Sequence, residues 1–494
     1  MLCAGYELAM YLLSLKKPML IVCGKGNNGG DGWAAAHFLL EHNVTLVVVS
    51  LVEISQLKKE AKSMFDLFIA SKNKLESNTS SYQIVSSVED VTQVLTEFQP
   101  TIIIDAIFGV GLNRPISGLA QETIERINNY QKSSPHCQVV AVDIPSGLSA
   151  NGQPLGKSVI NAHTTVSFSF LKIAHLDDSG INFCGQVICK DIGLKLPDNF
   201  LATAYGITAV NQPSEVLEKT NRAAHKGNFP HVAILEGASE TRGASLLSAR
   251  AAMRTGASLV TLLTNKFGET TASDMPELMH KKIQIPLPEN ALKHFSALVL
   301  GPGLGHDQQQ LKTAMLLLKI ALEEQLSIVV DADALPLLRD LKNNYSTQSI
   351  IVATPHPGEA ARLLGISTAD LQKNRLDAVK KLTELPFCPN ATLIWVLKGA
   401  CPIVLQKGKT PVVLEGGISA LAIGGSGDIL SGIVAASLGL ISDPFDATIF
   451  ACSAHLAAGR LLSKKFSRGH LASEIADLVP EIIYKNAPEK IYEK

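Results

Sequence analysis

Met19-Leu20-Ile21-Val22-Cys23 runs straight into Gly24-Lys25-Gly26-Asn27-Asn28-Gly29-Gly30-Asp31-Gly32, and a stretch of helical character, Gly30 to Asn43, follows. Five consecutive apolar residues cut off by glycines read as a strand buried on both faces, as in a parallel sheet. A glycine-rich turn between such a strand and a helix aims unpaired backbone N–H groups at one point, which favours an anion such as phosphate. The spacing is not the dinucleotide fingerprint, and the next strand ends in Val49-Ser50 with no acidic residue to hold a ribose. The unit then repeats. Val44 to Val49, Thr101 to Asp105, Gln138 to Asp143, Thr164 to Phe170 and Gln186 to Asp191 read as further strands, with a second helix over Ala120 to Tyr130.

This alternation predicts a doubly wound, Rossmann-like α/β sheet in the first part of the chain. A polar, Pro-containing stretch, Leu196 to Pro213, reads as a connector, after which alternation begins afresh. Strands are predicted at His231 to Leu235, Ser258 to Leu263, Ala297 to Leu300, Ser327 to Asp331, Ser349 to Ala353 and Leu393 to Leu397, with helices over Ala244 to Thr255 and Gln309 to Glu324. Two α/β domains, 1–208 and 209–494, are therefore expected, and 494 residues exceed what one core holds. The Ser/Asn-rich stretch Ser71 to Ser81 reads as an exposed loop.

Net charge is −1, which leaves no electrostatic footprint for nucleic acid or an anionic membrane. Hydrophobic residues make up 46% and charged ones 18%, which excludes a disordered chain. The eight cysteines form no CxxC pair and have no His partners, so they read as buried hydrophobes in a reducing cytoplasm. Met1 to Leu13 is apolar but carries Glu7 and lacks a basic start and a small-residue cleavage site, so a packing helix is expected there. No apolar run reaches transmembrane length.

In an open α/β sheet ligands sit beyond the carboxyl ends of the strands, and every candidate motif of the second half lies at such an end. Gly301-Pro302-Gly303-Leu304-Gly305, Asp331-Ala332-Asp333-Ala334-Leu335, Thr354-Pro355-His356-Pro357-Gly358-Glu359 and Lys398-Gly399 each follow a predicted strand. Gly424-Gly425-Ser426-Gly427-Asp428 opens the apolar helical run Ile429 to Ala436. An aspartate beside a phosphate cradle is electrostatically costly, and the work that explains it is removing a proton from a hydroxyl that attacks a phosphoryl group.

These runs resemble the ribokinase-like superfamily and, within it, the ADP- or ATP-dependent NAD(P)H-hydrate dehydratases, over about Lys226 to Val479. Hydroxymethylpyrimidine and pyridoxal kinases share the glycine-aspartate motif, but a His inside the Thr-Pro…Glu run points to the dehydratase. The resemblance implies that Asp428 acts on the C6 hydroxyl of the hydrated nicotinamide ring. Gly427 and the segment Lys398, Gly399, Ala400, Cys401 and Pro402 would hold the nucleotide. Ala244, Gly303 and His356 would contact the hydrated dinucleotide, and Glu359 would help organise Mg²⁺. Hydroxide is a poor leaving group and phosphate a good one, so phosphorylation of the hydroxyl followed by expulsion of phosphate, assisted by the ring nitrogen, would restore NAD(P)H. Bacterial-type members use ADP and this chain is nearer to them, with ATP the alternative. Two stretches depart from the pattern. Ile418 to Ile423 stands in place of an Asn-Pro-Gly-Met-Ala-Thr-like run, and Glu236 to Arg242 in place of Gly-Gly-Ser and small residues, so weaker substrate or nucleotide affinity is expected.

Asn-Asn-Gly-Gly-Asp-Gly, Asp105-Ala106-Ile107-Phe108-Gly109-Val110-Gly111 and Asp143-Ile144-Pro145-Ser146-Gly147 recur in the order seen in NAD(P)H-hydrate epimerase domains of the YjeF N-terminal type. This resemblance covers residues 4–195. It implies that Asn27, Asn28, Gly29, Gly30 and Asp31, with Gly109, Val110, Gly111, Leu112, Asn113, Arg114 and Pro115, hold the hydrate. Asn28, Asp105 and Ser146 would bind K⁺, and Asp143 is the candidate acid/base for inverting C6. Lys172 matches a family lysine, while Ile173-Ala174-His175 replaces the usual Pro-Gly region. The family has a further helix before the Met1 to Gly5 segment, so either the start lies upstream or this domain lacks its first helix.

Both motif sets in one chain predict a bifunctional enzyme of nicotinamide-nucleotide repair, an isomerase and lyase acting on hydrated NADH or NADPH in the cytoplasm as a homo-oligomer. Two rivals carry different expectations. A small-alcohol or vitamin kinase with a regulatory first domain would leave a stable phosphorylated product, and an interaction scaffold would have no use for Asp105, Asp143 and Ser146.

Overall fold

The computed structural model describes residues 1–15, 17–74, 80–195, 205–207, 223–264, 275–288, 290–341, 349–388 and 390–484. The chain divides into two compact units, Met1–Leu201 and Ala202–Lys494. In the first, the elements run α1 (Leu2–Leu13), β1 (Met19–Cys23), α2 (Asn27–Glu41), β2 (Leu46–Ser50), α3 (Lys59–Lys74), β3 (Ser81–Ile84), α4 (Val88–Phe98), β4 (Ile102–Ala106), α5 (Leu119–Ser133), β5 (Gln138–Val142), β6 (Thr164–Phe168), α6 (Ile181–Cys184) and β7 (Gln186–Lys190). All seven strands are parallel, in the order β3-β2-β1-β4-β5-β6-β7.

Strand residues point alternately to opposite faces, and the two cores follow from that. Ile21, Val48, Ile102 and Ile104 pack with Leu8 and Leu12 of α1, Trp33 of α2, and Phe65 and Phe68 of α3. Leu20, Val22, Val49 and Ile103 face the other way, onto Val91, Val94 and Leu95 of α4 and Ile124 and Ile127 of α5. Strand order reverses between β1 and β4. The crevice at their carboxyl ends is where an open sheet binds ligand, and the Asn27–Asp31 and Gly109–Pro115 runs both leave from it.

The second unit runs β8 (Tyr205–Ile207), β9 (His231–Leu235), α7 (Arg242–Thr255), β10 (Leu259–Thr264), β11 (Met279–Lys282), β12 (Ala297–Leu300), α8 (Gln308–Glu323), β13 (Ser327–Val330) and β14 (Ile350–Ala353). It continues through α9 (Pro357–Leu364), α10 (Thr368–Lys373), α11 (Arg375–Thr383), β15 (Thr392–Leu397), β16 (Ile403–Gln406), β17 (Val412–Leu414), α12 (Ser426–Leu440), α13 (Pro444–Ser463) and α14 (Ala472–Tyr484). Its ten strands lie in the order β11-β10-β9-β12-β13-β14-β15-β16-β17-β8. The strands are parallel except β16, which runs antiparallel to both β15 and β17. Here the order reverses between β9 and β12. Helices α7, α12, α13 and α14 bury one apolar core against the sheet.

Several expectations need correction. Helix α2 starts at Asn27, so Asn27–Gly32 form its first turns instead of a loop ahead of it. The turn is that tight because Gly29 sits against the strand end, where a Cβ would lie 1.9 Å from the Gly24 carbonyl oxygen. Likewise Ser426, Gly427 and Asp428 are the first turn of α12, capped by Gly425 in the left-handed region at φ +89°. Ser71 to Ser81 is not one loop: Ser71–Lys74 end α3, Ser81 begins β3, and 75–79 lie outside the described residues. Within the predicted connector, most of which lies outside the described residues, Tyr205–Ile207 pairs with β17 as a sheet edge. Six cysteines are buried as expected, but Cys3 and Cys189 are exposed. Among the described residues no helix is long and apolar enough to cross a membrane.

Candidate functional sites

In the first unit, Asp105 is fully buried near the end of β4. Its carboxylate accepts hydrogen bonds from the Ser146 hydroxyl at 2.6 Å, the Ser146 N–H at 2.8 Å and the Ile107 N–H at 3.2 Å. Burial pushes it up to about 6 against those bonds. The Ser146 hydroxyl oxygen in turn accepts from the Phe108 N–H at 2.9 Å, and Asn28 Nδ2 donates to the Phe108 carbonyl at 3.0 Å. Asn28, Asp105 and Ser146 therefore meet around the Ile107–Gly109 turn, with Asn28 Oδ1 facing Gly109, whose Cβ would lie 2.9 Å away. This is an oxygen-rich, anionic nook with no cationic side chain paired to Asp105 among the described residues. A monovalent cation fits that donor set.

Asp143 follows β5 with φ +65°, in the left-handed region that Asp enters at modest cost. Its carboxylate pairs with the Lys172 ammonium, which also donates to Ser167 Oγ at 2.9 Å and the Phe168 carbonyl at 3.1 Å. Burial raises Asp31 to about 7, with Asp143 adding to that and Lys172 opposing it. Asp31, Asp143 and Lys172 thus share one electrostatic neighbourhood. Asn27 and most of Gly109–Pro115 are exposed on the rim, with Val110 and Arg114 open to solvent.

In the second unit, the buried Asp331 carboxylate pairs with Lys398 Nζ at 2.7 Å and accepts from Ser431 Oγ at 2.8 Å and the Ala332 N–H at 2.8 Å. Asp428, in the first turn of α12, is pushed up to about 6 by burial, then by Asp331 and Asp333, with Lys398 opposing. Burial works against the Lys398 charge, but Asp331, Glu359 and Asp428 together hold its pKa above the usual range. Gly427 keeps this corner open: a Cβ there would stand 3.2 Å from Lys398 Nζ.

His356 caps α9, accepting from the Gly358 and Glu359 N–H groups at 3.0 and 3.4 Å through Nδ1. Its Nε2 then carries the proton and lies 3.1 Å from Glu359 Oε1, while Glu359 Oε2 accepts the His356 N–H at 2.7 Å. Glu359 is thus first a capping residue. Among the described residues no three His, Cys, Asp or Glu converge as a metal cage. Mg²⁺ characteristically arrives on nucleotide phosphates with one or two carboxylates added, and Asp331, Glu359 and Asp428 around one lysine leave negative charge for it.

Gly303 and Ala244 are neighbours, since a Cβ on Gly303 would stand 3.0 Å from that of Ala244. The Gly303 carbonyl accepts from Thr241 Oγ1 at 2.6 Å and the Ala238 N–H at 2.8 Å, which anchors the β9–α7 loop to it. Across that loop, the departure from small residues resolves into an ion pair between Glu236, just after β9, and Arg242, the first residue of α7, Nε to Oε1 at 2.8 Å. The other departure turns apolar: Ala420 is buried, and Ile418, Leu421 and Ile423 pack onto the core. Sequence reasoning missed Arg375. Its buried guanidinium donates to the carbonyls of Cys401 at 2.9 Å and Lys398 at 3.2 Å, bracing the Lys398–Pro402 segment from behind. An arginine just after a helix-capping Asn374 carries no such signal by itself.

A family model described as NAD(P)H-hydrate dehydratase matches residues 232–481, and one described as YjeF-related protein N-terminus matches residues 1–174. The bifunctional NAD(P)H-hydrate repair enzyme Nnr of Escherichia coli is 31% identical over 485 residues, covering 96% of this chain and 87% of that protein. The enzyme of the same name from Coxiella burnetii is 32% identical, covering 96% of this chain and 93% of its own. Among solved structures, the ADP/ATP-dependent NAD(P)H-hydrate dehydratase of Bacillus subtilis, co-crystallised with ATP/Mg²⁺, is 25% identical over 56% of this chain and 96% of that one, with a TM-score of 0.47. Matched by a model over half its length, and by relatives of 31% and 32% identity along nearly all of it, the chain belongs to the family of bifunctional NAD(P)H-hydrate repair enzymes.

Proposed function

We propose that this chain interconverts the R and S forms of hydrated NADH and NADPH in residues 1–208, and dehydrates the S form in residues 209–494 with ADP or ATP as phosphoryl donor. Two compact units meeting at Leu201/Ala202, with one family match in each, support a division into two domains, and the pairing of Tyr205–Ile207 with β17 groups that strand with the second. The observation that carries the reading is that each unit sets a carboxylate near a lysine in the crevice beyond its strands: Asp143 paired with Lys172, and Asp428, in the first turn of α12, near Lys398, which faces the neighbouring Gly427.

In the first unit, Asp143 takes the C6 hydroxyl proton as the C6–N1 bond of the carbinolamine breaks, and Lys172 gives a proton to the ring nitrogen. The reverse steps close the ring on the opposite face of the C6 carbonyl, with Asn27–Asp31 and Gly109–Pro115 holding the dinucleotide around it. Asn28, Asp105 and Ser146 would hold K⁺, whose charge would neutralise the buried Asp105 and stiffen the Phe108 turn. In the second, Asp428 takes the proton of the C6 hydroxyl as its oxygen attacks the terminal phosphorus of the donor. Lys398 and the N-terminus of α12 stabilise the charge on the transferred group. Phosphate then leaves with its bonding electrons, the ring nitrogen lone pair fills the gap, and loss of a proton from the neighbouring ring carbon restores the dihydronicotinamide. Mg²⁺, where bound with the donor phosphates near Glu359, would neutralise their charge. Lys398–Pro402 and Gly427 hold the nucleotide, and Ala244, Gly303 and His356 the hydrate.

A cytoplasmic site agrees with eight free cysteines, and a homo-oligomer is testable by light scattering. The deciding experiment follows recovery of reduced-nicotinamide absorbance from mixed R and S hydrate with Mg²⁺ and K⁺, trying ADP and ATP separately. Full recovery is expected. Recovery that stops when the S form is exhausted would remove the epimerase half, and a stable phosphorylated product without recovery would establish a kinase instead.

A further inference from the structure

The loop that carries Lys172 continues into a short turn, Ile173–His175, which takes the place of the expected Pro-Gly region. His175, at its end, is buried, 3% exposed. The Lys172 N–H donates to its Nδ1 at 3.1 Å, so that nitrogen offers a lone pair and the proton sits on Nε2. Nε2 then donates to the Asp143 carbonyl at 2.9 Å. Burial pushes the ring down to about 4, so the neutral form with this one tautomer persists across the physiological range. One rigid imidazole thus bridges the backbones of two residues 29 positions apart.

We propose that His175 is a positioning residue for epimerisation, holding Asp143 and Lys172 in register through these two backbone hydrogen bonds. The inference rests on the epimerase reading of the first unit. Asp143 sits at positive φ, a conformation less favourable than the common regions, which its hydrogen-bonded neighbours hold. Its N–H is fixed by the Val166 carbonyl at 2.8 Å, and His175 fixes its own carbonyl on the other side of the same Cα. With both flanking peptides fixed, the direction of the carboxylate is set. At the other end, the Lys172 ammonium spends its donors on Asp143, Ser167 and Phe168, so its aim depends on where the Lys172 backbone stands. The ring sets that position. Neither His175 nitrogen is free for substrate, which separates it from an acid or base in its own right.

The test measures R-to-S interconversion without phosphoryl donor, so that only the first unit acts, by separating the two forms over time on the full-length chain. His175→Phe keeps the buried ring and removes both hydrogen bonds, His175→Ala removes ring and bonds, and His175→Gln retains an acceptor and a donor on one planar group. A displacement of about 1 Å between reacting groups costs about 10²-fold in rate. We therefore expect kcat for the Phe and Ala variants to fall about 10- to 100-fold with KM within about twofold, and Gln to recover to within about fivefold. Dehydration of pure S hydrate, a property of the second unit, is expected to be unchanged throughout. Wild-type kcat in the Phe variant, a loss confined to KM, or a Gln variant no faster than Phe would each overturn the inference. If the Phe and Ala variants fail to fold, Gln decides alone: folded and within fivefold it supports the role, and otherwise it overturns it. No interconversion by the wild-type chain would overturn the epimerase reading itself, and this inference with it.

Discussion

Replacing Lys398 by methionine removes an ammonium that faces Asp331, Glu359 and Asp428 together. Asp428, held up to about 6 by burial and by Asp331 and Asp333 against the pull of Lys398, is about nine-tenths ionised at pH 7 and about half ionised at pH 6. If it is the base that takes the hydroxyl proton, dehydration of S hydrate has an acid limb centred near pH 6. Only the ionised carboxylate accepts the proton, so the rate falls as pH drops through that value. An opposite charge within a few ångströms is worth one to three pKa units on a carboxylate. Without Lys398 the limb therefore moves up, to about pH 7 or above. At pH 7 that lowers the ionised fraction by about twofold or more, and this part of the loss is regained by raising the pH.

Two variants separate the causes. Asp428→Asn is expected to lose about 10²- to 10⁴-fold in kcat, the usual worth of a positioned base, and to lose the limb with it. Whatever pH dependence Asp428→Asn keeps belongs to the phosphoryl donor and is subtracted from the other profiles. The assay is absorbance recovery at the reduced-nicotinamide band with saturating donor and Mg²⁺, from pH 5 to 9. A limb near pH 6 that survives in Asp428→Asn would refute the assignment of the base. A limb that stays put or moves down in Lys398→Met would refute the charge argument.

The buried Asp105 supplies a second test. Its folded pKa of about 6 lies above the unfolded value of 3.8, so its contribution to stability is full below about pH 4 and is lost as pH rises through 6, a swing of about 3 kcal/mol. KCl is therefore expected to raise the unfolding midpoint of the first unit at pH 7.5 more than at pH 5, relative to tetramethylammonium chloride, and Asp105→Asn to abolish that difference; equal shifts at both pH values would count against a cation at this carboxylate. Arg242→Ala leaves Glu236 buried without its partner and is expected to cost about 3 kcal/mol in urea unfolding of the second unit, whereas Arg242→Ala with Glu236→Ala recovers most of it. Costs that simply add would mean the two side chains do not depend on each other. Gly29→Ala drives a Cβ into the Gly24 carbonyl and is expected to abolish epimerisation while S dehydration stays within about twofold; full epimerisation would show that the α2 turn can open.

How much could be read in advance follows the physics of each element. Strands buried on both faces announce themselves as apolar runs, and β1, β4, β5, β9 and β12 lie where such runs stand. The edge strands β3 and β11 do not. Ser81–Ile84 is exposed at every position and Met279–Lys282 nearly so, and each forms because a neighbouring strand offers a parallel edge of backbone donors and acceptors. The sites divide in the same way. Asp105, Asp143, Lys398 and Asp428 stand at strand or helix ends that glycines mark out, and Asp331 directly ends an apolar strand, so their residues were legible as candidates. Their partners were not, because a partner is defined only after folding. Nothing in the spacing says that Ser431 will meet Asp331 across 100 residues, that Arg375 will brace Lys398 from behind, or that His175 will join Lys172 to Asp143. The stretch Glu236 to Arg242 reads in sequence only as a departure from Gly-Gly-Ser and small residues, and the fold shows that the charges at its two ends answer each other.

The two sites solve one electrostatic problem by different means. Each places an aspartate at or near the end of a central strand, almost out of water, and each gives that carboxylate a serine hydroxyl and a backbone N–H: Ser146 for Asp105, and Ser431 with the Ala332 N–H for Asp331. Hydrogen bonds alone do not offset the desolvation of a full charge. Asp331 has Lys398 at 2.7 Å, so its corner carries its own counter-ion and keeps it whether or not nucleotide is bound. Asp105 has no such lysine among the described residues, and its raised pKa of about 6 is the consequence. Under the proposed K⁺ site, the first unit borrows from solution the charge that the second builds into its chain. The two activities should then differ in what they need. Epimerisation should fail when K⁺ is replaced by a large organic cation, while Lys398 keeps the Asp331 corner indifferent to that exchange. One chain assayed in both media, with R hydrate for the first reaction and S hydrate for the second, carries both measurements. Equal sensitivity of the two reactions would mean that the buried Asp105 is neutralised by a proton instead, and that the anionic nook serves only to hold the Phe108 turn in place.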